Sequence, residues 1–326
     1  MTQILERDPA PAPATPPAPP RPEWRHRLVP AVLMLLGAAV MLYPVGATYY
    51  NNLKQFQFAS EYGAEVSSAG PVTLEEALER AAAYNASLAP TSMLDPWTAA
   101  QAEDNAAYQD YLGQLDLFSA MATLRVPSIG VQLPIYHGTS DTVLSRGVGH
   151  LYGSTLPVGG SSTHSVLTAH SAYPDATLFD ELPELQIGDT FFIDVYGQTL
   201  AYEVDQLKTV LPDELDDLAR VDGADLITLV TCTPFAVNSH RLLVRAHAVP
   251  YDIASDPTGA ERTMDWSIQS WMWPRVIGAT IALAILVIIA TGWIRGDRRR
   301  ARNYRATLAD DRSAAPPAGP ARGGTA

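Results

Sequence analysis

Cysteine is all but missing from this 326-residue chain: Cys232 is the only one. No disulfide can form within the chain, and a zinc ribbon is excluded. Stability must therefore come from a hydrophobic core. Lysine is nearly as scarce, with only Lys54 and Lys208 among 22 basic residues, a bias that fits a GC-rich genome. No pair among the seven histidines has the spacing of a helical metal motif, and neither a Gly-rich phosphate loop nor a G-x-S-x-G elbow occurs. No internal repeat is present, so repeat arrays are excluded.

Positive charge is missing from the middle of the chain. Residues 51–275 hold 10 Lys+Arg against 29 Asp+Glu, a net of −19, which makes nucleic acid an unsuitable partner. The basic residues crowd two places instead. Arg7, Arg21, Arg25 and Arg27 precede an uncharged apolar stretch, residues 28–50, and Arg295, Arg298, Arg299, Arg300, Arg302 and Arg305 follow a second, residues 276–294. A bilayer core takes about 20 apolar residues as a helix. Neither stretch has the polar stripe of a soluble helix, and the first exceeds the roughly 7–15 residues of a signal-peptide core. Basic flanks stay in the cytoplasm. The expected topology is two transmembrane helices, both termini inside, and the acidic middle outside. Trp271, Trp273 and Trp293 sit near the ends of the second stretch, as interfacial aromatics do. A lone thiol outside the cell is either a small buried hydrophobe or a reactive group.

The chain divides by composition. Residues 1–27 contain a Pro/Ala low-complexity tail and 295–326 a basic one. Residues 51–121 read as helical: Thr73-Leu74-Glu75-Glu76 resembles a capping box, and Leu74, Leu78, Ala81 and Leu88 recur at helical spacing. A Pro-broken loop, Ala89 to Trp97, precedes a second helical stretch over 99–115. From Ala122 to Asp252 the pattern changes to short strands with Gly and Pro punctuation, including a hairpin turn at Tyr196-Gly197-Gln198-Thr199. This predicts a mainly β domain, a barrel or sandwich, joined by a linker (253–275) to the second apolar stretch.

The lone cysteine ends one predicted strand, Leu226 to Thr231. Arg241 begins the next, nine residues later, and His170 follows a strand 62 residues earlier. Acyl transfer from an amide needs a nucleophile, a proton donor for the leaving amine, and a group that holds the oxyanion. A thiolate, an imidazole and a guanidinium supply these parts. Strict alternation puts Arg241, Leu243, Arg245 and His247 on one face, polar except for Leu243. Arg245 is the rival guanidinium. The other histidines, His26, His137, His150, His164, His240 and His247, read individually as surface or hydrogen-bonded residues.

Thr228-Leu229-Val230-Thr231-Cys232 matches the T-L-x-T-C signature of sortases, the transpeptidases of Gram-positive cell surfaces. The resemblance covers residues 124–249. Leu167-Thr168-Ala169-His170 is similar to the family's T-G-H, and Asn238-Ser239-His240-Arg241-Leu242-Leu243-Val244-Arg245 resembles the pilin-polymerising class C. Two positions depart from the pattern: Ala169, usually Gly, and Ser171, where Arg is frequent. Asp95-Pro96-Trp97 resembles the class C lid over the active site, with Asp95 pairing Arg241 and Trp97 covering the thiol. It also suits an N-cap with Pro at N1.

The resemblance implies a sortase-type eight-stranded β-barrel with short helices, preceded by a helical segment with the lid and flanked by two transmembrane helices. It makes Cys232 the nucleophile, His170 the acid/base and Arg241 the oxyanion-stabilising residue, with no cofactor and no calcium site. The implied partners are the membrane and pilin or surface-protein substrates with LPxTG-like signals, and the enzyme is expected to be a monomer. The alternatives are a housekeeping sortase that anchors proteins to peptidoglycan, and a membrane-tethered binding module with a structural cysteine.

Overall fold

Short alternating runs separated by turn residues build one closed sheet. The computed structural model describes residues 24–89, 105–252 and 269–314. Asp95, Pro96, Trp97 and the start of the 99–115 stretch lie outside the described residues. Eight strands, β1 (Ala122–Val126), β2 (Val131–His137), β3 (Val148–His150), β4 (Thr163–Thr168), β5 (Thr190–Val195), β6 (Gln198–Val210), β7 (Asp225–Thr233) and β8 (His240–Val249), close a barrel in the order β1-β2-β3-β4-β7-β8-β6-β5. The mainly β, eight-stranded barrel expected from the sequence is the fold that forms.

Neighbours are antiparallel except β2–β3 and β4–β7. Parallel neighbours need a long crossover. The one from β4 to β7 contains the β5–β6 hairpin, whose two-residue turn has φ 47 at Tyr196 and 84 at Gly197. Positive φ at both central residues is the geometry that matches the twist of paired strands.

Alternation along the strands creates two apolar clusters. Leu124, Ile135, Leu167, Ile193, Ile227, Leu229 and Val244 belong to the main core. Leu151, Val166, Val210, Leu218, Val230 and Leu243 form a smaller one. Leu243 pairs with Val230 across β7 and β8. Its place on a polar face is thus explained: it packs in this second cluster.

Helices complete the domain. α1 (Trp24–Ser68) runs unbroken for 45 residues, about 68 Å at 1.5 Å per residue. Its apolar first half leaves Leu28, Val29, Val32 and Leu33 exposed, whereas beyond residue 50 it buries Gln55, Ala59, Tyr62 and Val66. These recur every three or four residues, the spacing of one helical face. The Tyr62 hydroxyl accepts the Tyr196 N–H (3.0 Å) and donates to the Met121 carbonyl (3.2 Å). α2 (Pro71–Ser87) starts earlier than the expected capping box. Its N-cap is Gly70, with no side-chain bond, and Pro71 opens the helix. Proline suits that position because its missing N–H would have no partner there, so Thr73 lies inside the first turn. α3 (Ala106–Leu112) is capped by Asn105, whose side chain accepts the Ala107 N–H. α4 (Asp141–Leu144) joins β2 to β3, and α5 (Trp273–Ala314) follows β8.

The chain divides into two compact units. Tyr43–Gln269 contains the barrel and the helical turns packed on it. The other unit contains the start of α1 together with α5, where Arg27 and Asp297 form a two-point ion pair at 2.5 and 2.9 Å. α1 and α5 are long and apolar enough to cross a membrane, with mean hydropathy 2.2 and 2.4 over their apolar windows.

Candidate active site

Antiparallel pairing of β7 with β8 makes Cys232 and Arg241 direct cross-strand partners, with Cα atoms about 5 Å apart and side chains on one face. Cys232 is 8% and Arg241 7% exposed, so both lie just under the surface. Arg241 Nη1 donates to the carbonyls of Asn238 (3.4 Å) and His240 (3.3 Å), which ties the guanidinium to the β7–β8 turn.

Arg245 lies elsewhere. Its strand partner is Thr228, and four residues of strand separate it from Arg241 by about 13 Å. It is engaged in a two-point ion pair with Asp205, at 2.9 and 3.2 Å. Asp205 is the residue skipped where the β6–β8 register shifts between Val204 and Gln206.

His170 reaches the same neighbourhood through the parallel pairing of β4 with β7. The two chains stay bonded past the end of β4. Thr168 Oγ1 donates to the Val230 carbonyl (3.1 Å), the Ala169 N–H donates to the same carbonyl (3.2 Å), Thr231 Oγ1 donates to the Ala169 carbonyl (2.9 Å), and Ser171 Oγ donates to the Cys232 carbonyl (2.6 Å). His170 is therefore gripped on both sides, at Ala169 and Ser171, by the residues around the thiol. Its ring stacks on Tyr173 at 5.4 Å and 14°. Burial pushes its pKa below the usual histidine range, an effect that the charge of Asp141 partly offsets.

Both departures from the sequence pattern have an explanation. Ala169 is absent from the residues with positive φ, so its methyl meets no left-handed backbone, and it is fully buried in the main core. Ser171, which looks like the loss of a basic residue, provides the bond to the Cys232 carbonyl. Sequence reasoning missed this role because a serine after a histidine carries no spacing signal. It also missed Asp180, whose carboxylate accepts the N–H of Ala172 (2.6 Å), a residue at φ 57. Burial raises the Asp180 pKa to about 7.

The signature threonines have separate tasks. Thr231 holds Ala169, and Thr228 Oγ1 lies 2.7 Å from Nε2 of the buried His164. His137 and His150, like His164, are occupied structurally. His164 Nδ1 bonds the Ala219 carbonyl, His137 bonds the Gln114 carbonyl, and His150 bonds Tyr111 and the Thr155 carbonyl. Burial lowers the pKa of all three, that of His150 to about 4. Among the described residues, no group of three or more His, Cys, Asp or Glu could hold a metal ion. What the arrangement offers is a thiol, a buried guanidinium on the strand position opposite it, and an imidazole whose segment is fixed to the same strand ends.

A profile of the sortase domain matches residues 124–249. Sortase C-1 from Actinomyces oris is 49% identical, with TM-score 0.53, over 55% of this chain and 99% of that one. A sortase C from Streptococcus pneumoniae, described for its catalysis and pilin substrate specificity, is 40% identical, with TM-score 0.55, over 60% of this chain and 97% of that one. Sortase D from Bacillus subtilis is 29% identical over 136 residues, which cover 42% of this chain and 63% of that relative.

Proposed function

The chain belongs to the sortase family of cysteine transpeptidases, and on that premise we propose that it is a pilin-polymerising sortase. Cys232 is the nucleophile. Its thiolate adds to the Thr carbonyl of an LPxTG-like sorting signal, Arg241 stabilises the oxyanion, and His170 protonates the glycine amine as the Thr–Gly bond breaks. The product is a Thr-acyl thioester. A lysine amine on the next pilin attacks it and gives up a proton, the thiolate leaves, and an isopeptide bond joins the two subunits. Atoms balance with no cofactor.

The observation that carries this reading is the pairing of Cys232 with Arg241, together with the Ser171 bond that draws the His170 segment to the Cys232 carbonyl. The similarity to sortase C structures at 40–49% identity supports the pilin-polymerising class. In this reading Asp95, Pro96 and Trp97 form a lid over the thiol, α1 and α5 cross the membrane, and both termini are cytoplasmic.

The test is polymerisation of a pilin by the membrane-bound enzyme. The Cys232→Ala variant should give neither thioester nor polymer, and Arg241→Ala should lower kcat/KM by about 10²–10³, as loss of an oxyanion donor does. Arg245→Ala should keep kcat/KM within about threefold of the parent. Polymer from Cys232→Ala would overturn the reading. Attachment of the Thr-acyl group to peptidoglycan amines, with none to pilin lysine, would assign the housekeeping class instead.

A further inference from the structure

The turn that leaves His170, residues 171–178, is gripped from outside the barrel as well as by β7. Asn52 of α1 and Thr177 exchange two bonds: Asn52 Nδ2 donates to Thr177 Oγ1 (2.6 Å), and the Thr177 N–H donates to Asn52 Oδ1 (3.1 Å). Gln269, just before α5, donates from Nε2 to the same Thr177 Oγ1 (2.9 Å). Asn51 Nδ2 donates to the Asp175 carbonyl (2.8 Å). Two residues past Thr177, the Phe179 N–H donates to the His170 carbonyl (3.0 Å). Bonds at Thr177 and at Phe179, two residues apart in the chain, thus connect Asn52 and Gln269 to the backbone of His170.

The turn needs such restraint. Ala172 (φ 57) and Leu178 (φ 45) are non-glycine residues in the left-handed region, which costs each of them roughly 1–2 kcal/mol. Strained backbone of this kind persists where its surroundings over-determine it. Water could satisfy the polar groups of a surface turn equally well, so three carboxamides converging on one short segment fix its position. Their origin is notable: Asn51 and Asn52 directly follow the apolar run 28–50, and Gln269 comes just before α5.

We propose that Asn52, Gln269 and Thr177 are positioning residues that set His170 against Cys232, so that residues flanking the two apolar stretches are part of the active-site frame. The inference rests on the transpeptidase reading above. A domain trimmed of these residues would keep the three reacting groups and lose the setting of the imidazole.

The test uses the full chain in lipid nanodiscs and steady-state cleavage of a sorting-signal peptide. Asn52→Ala and Thr177→Val should each lower kcat about tenfold with KM within twofold, since small misplacement of a reacting group costs rate rather than binding. Thr177→Ser, which keeps the hydroxyl, should restore kcat to within twofold. Gln269→Ala, a change outside the barrel, keeps the test open if Thr177→Val does not fold; it should lower kcat about threefold. Unchanged kcat in Asn52→Ala and Gln269→Ala, or a Thr177→Ser as impaired as Thr177→Val, would overturn the clamp while the parent chain remained active and Cys232→Ala inactive. An inactive parent chain would overturn the transpeptidase reading, and the clamp with it.

Discussion

Ser171 contributes one hydroxyl, at 2.6 Å from the Cys232 carbonyl, and that is enough to give a testable expectation. Ser171→Ala should cost about 1 kcal/mol, or roughly fivefold in kcat/KM, with cleavage kinetics as the measurement. Asp180 tests the opposite case, a group that is costly to keep charged. Its folded pKa of about 7 lies above its ordinary value of 3.8, so between these pH values the folded state holds the extra proton. That contribution to stability is complete below pH 3.8 and is lost as pH rises through about 7. Asp180→Asn keeps an oxygen for the Ala172 N–H and removes the ionisation. Its melting temperature should therefore exceed that of the parent at pH 8 by more than at pH 5. Equal melting curves at pH 8 would show that the carboxylate costs nothing. Cys232, His170 and Arg241 could be named as candidates from sequence because their types and strand-end positions suit one chemistry. Arg245 could be ranked below Arg241 only by resemblance, and its ion pair with Asp205 needed the three-dimensional register.

At the scale of elements, the strands were legible because alternation and turn residues are local signals, and Tyr196-Gly197 marks its hairpin plainly. The parallel pairing of β4 with β7 was not legible, because nothing local encodes which distant strand will lie alongside. The face by which the second half of α1 docks was hidden for another reason. Its buried stripe at 55, 59, 62 and 66 mixes Gln, Ala, Tyr and Val, too weak an apolar pattern to stand out after a stretch as hydrophobic as 28–50. Tyr62 is the element's main anchor. Tyr62→Phe leaves the buried Tyr196 N–H without its acceptor, and should cost about 1–3 kcal/mol, measured as a lower midpoint of chemical unfolding. An unchanged midpoint would mean that α1 docks through apolar contact alone.

For the whole molecule, charge asymmetry and two apolar stretches were readable from composition, and the helices bear out their length and hydropathy. Which side of the membrane each end occupies is a matter for labelling, and the scarcity of cysteine makes this simple. In the Cys232→Ala chain, Thr2→Cys and Ala326→Cys should react with an impermeant maleimide only after the membrane is opened. The barrel also has an acid limit. Fully buried His150 titrates at about 4 when folded, against 6.5 in the unfolded chain. The unfolded state then binds the extra proton between these values. Stability from the neutral imidazole is complete above pH 6.5 and lost as pH falls towards 4, by roughly 3 kcal/mol. His137 and His164 act in the same direction. Thermal unfolding between pH 7 and 4 should show this decline, and His150→Gln should flatten it.

The cross-strand pairing of Cys232 with Arg241 also bears on how the chain matures. Thiol and guanidinium lie nine residues apart in one hairpin, whereas the imidazole must be brought across 62 residues of chain. Closing the longer loop costs more entropy, and non-local pairing is the slower event. Cys232 should therefore pair with Arg241 before the His170 segment arrives, and a newly made chain should spend that interval with the three side chains not yet together. With no second cysteine to trap it in a wrong disulfide, the thiol can wait.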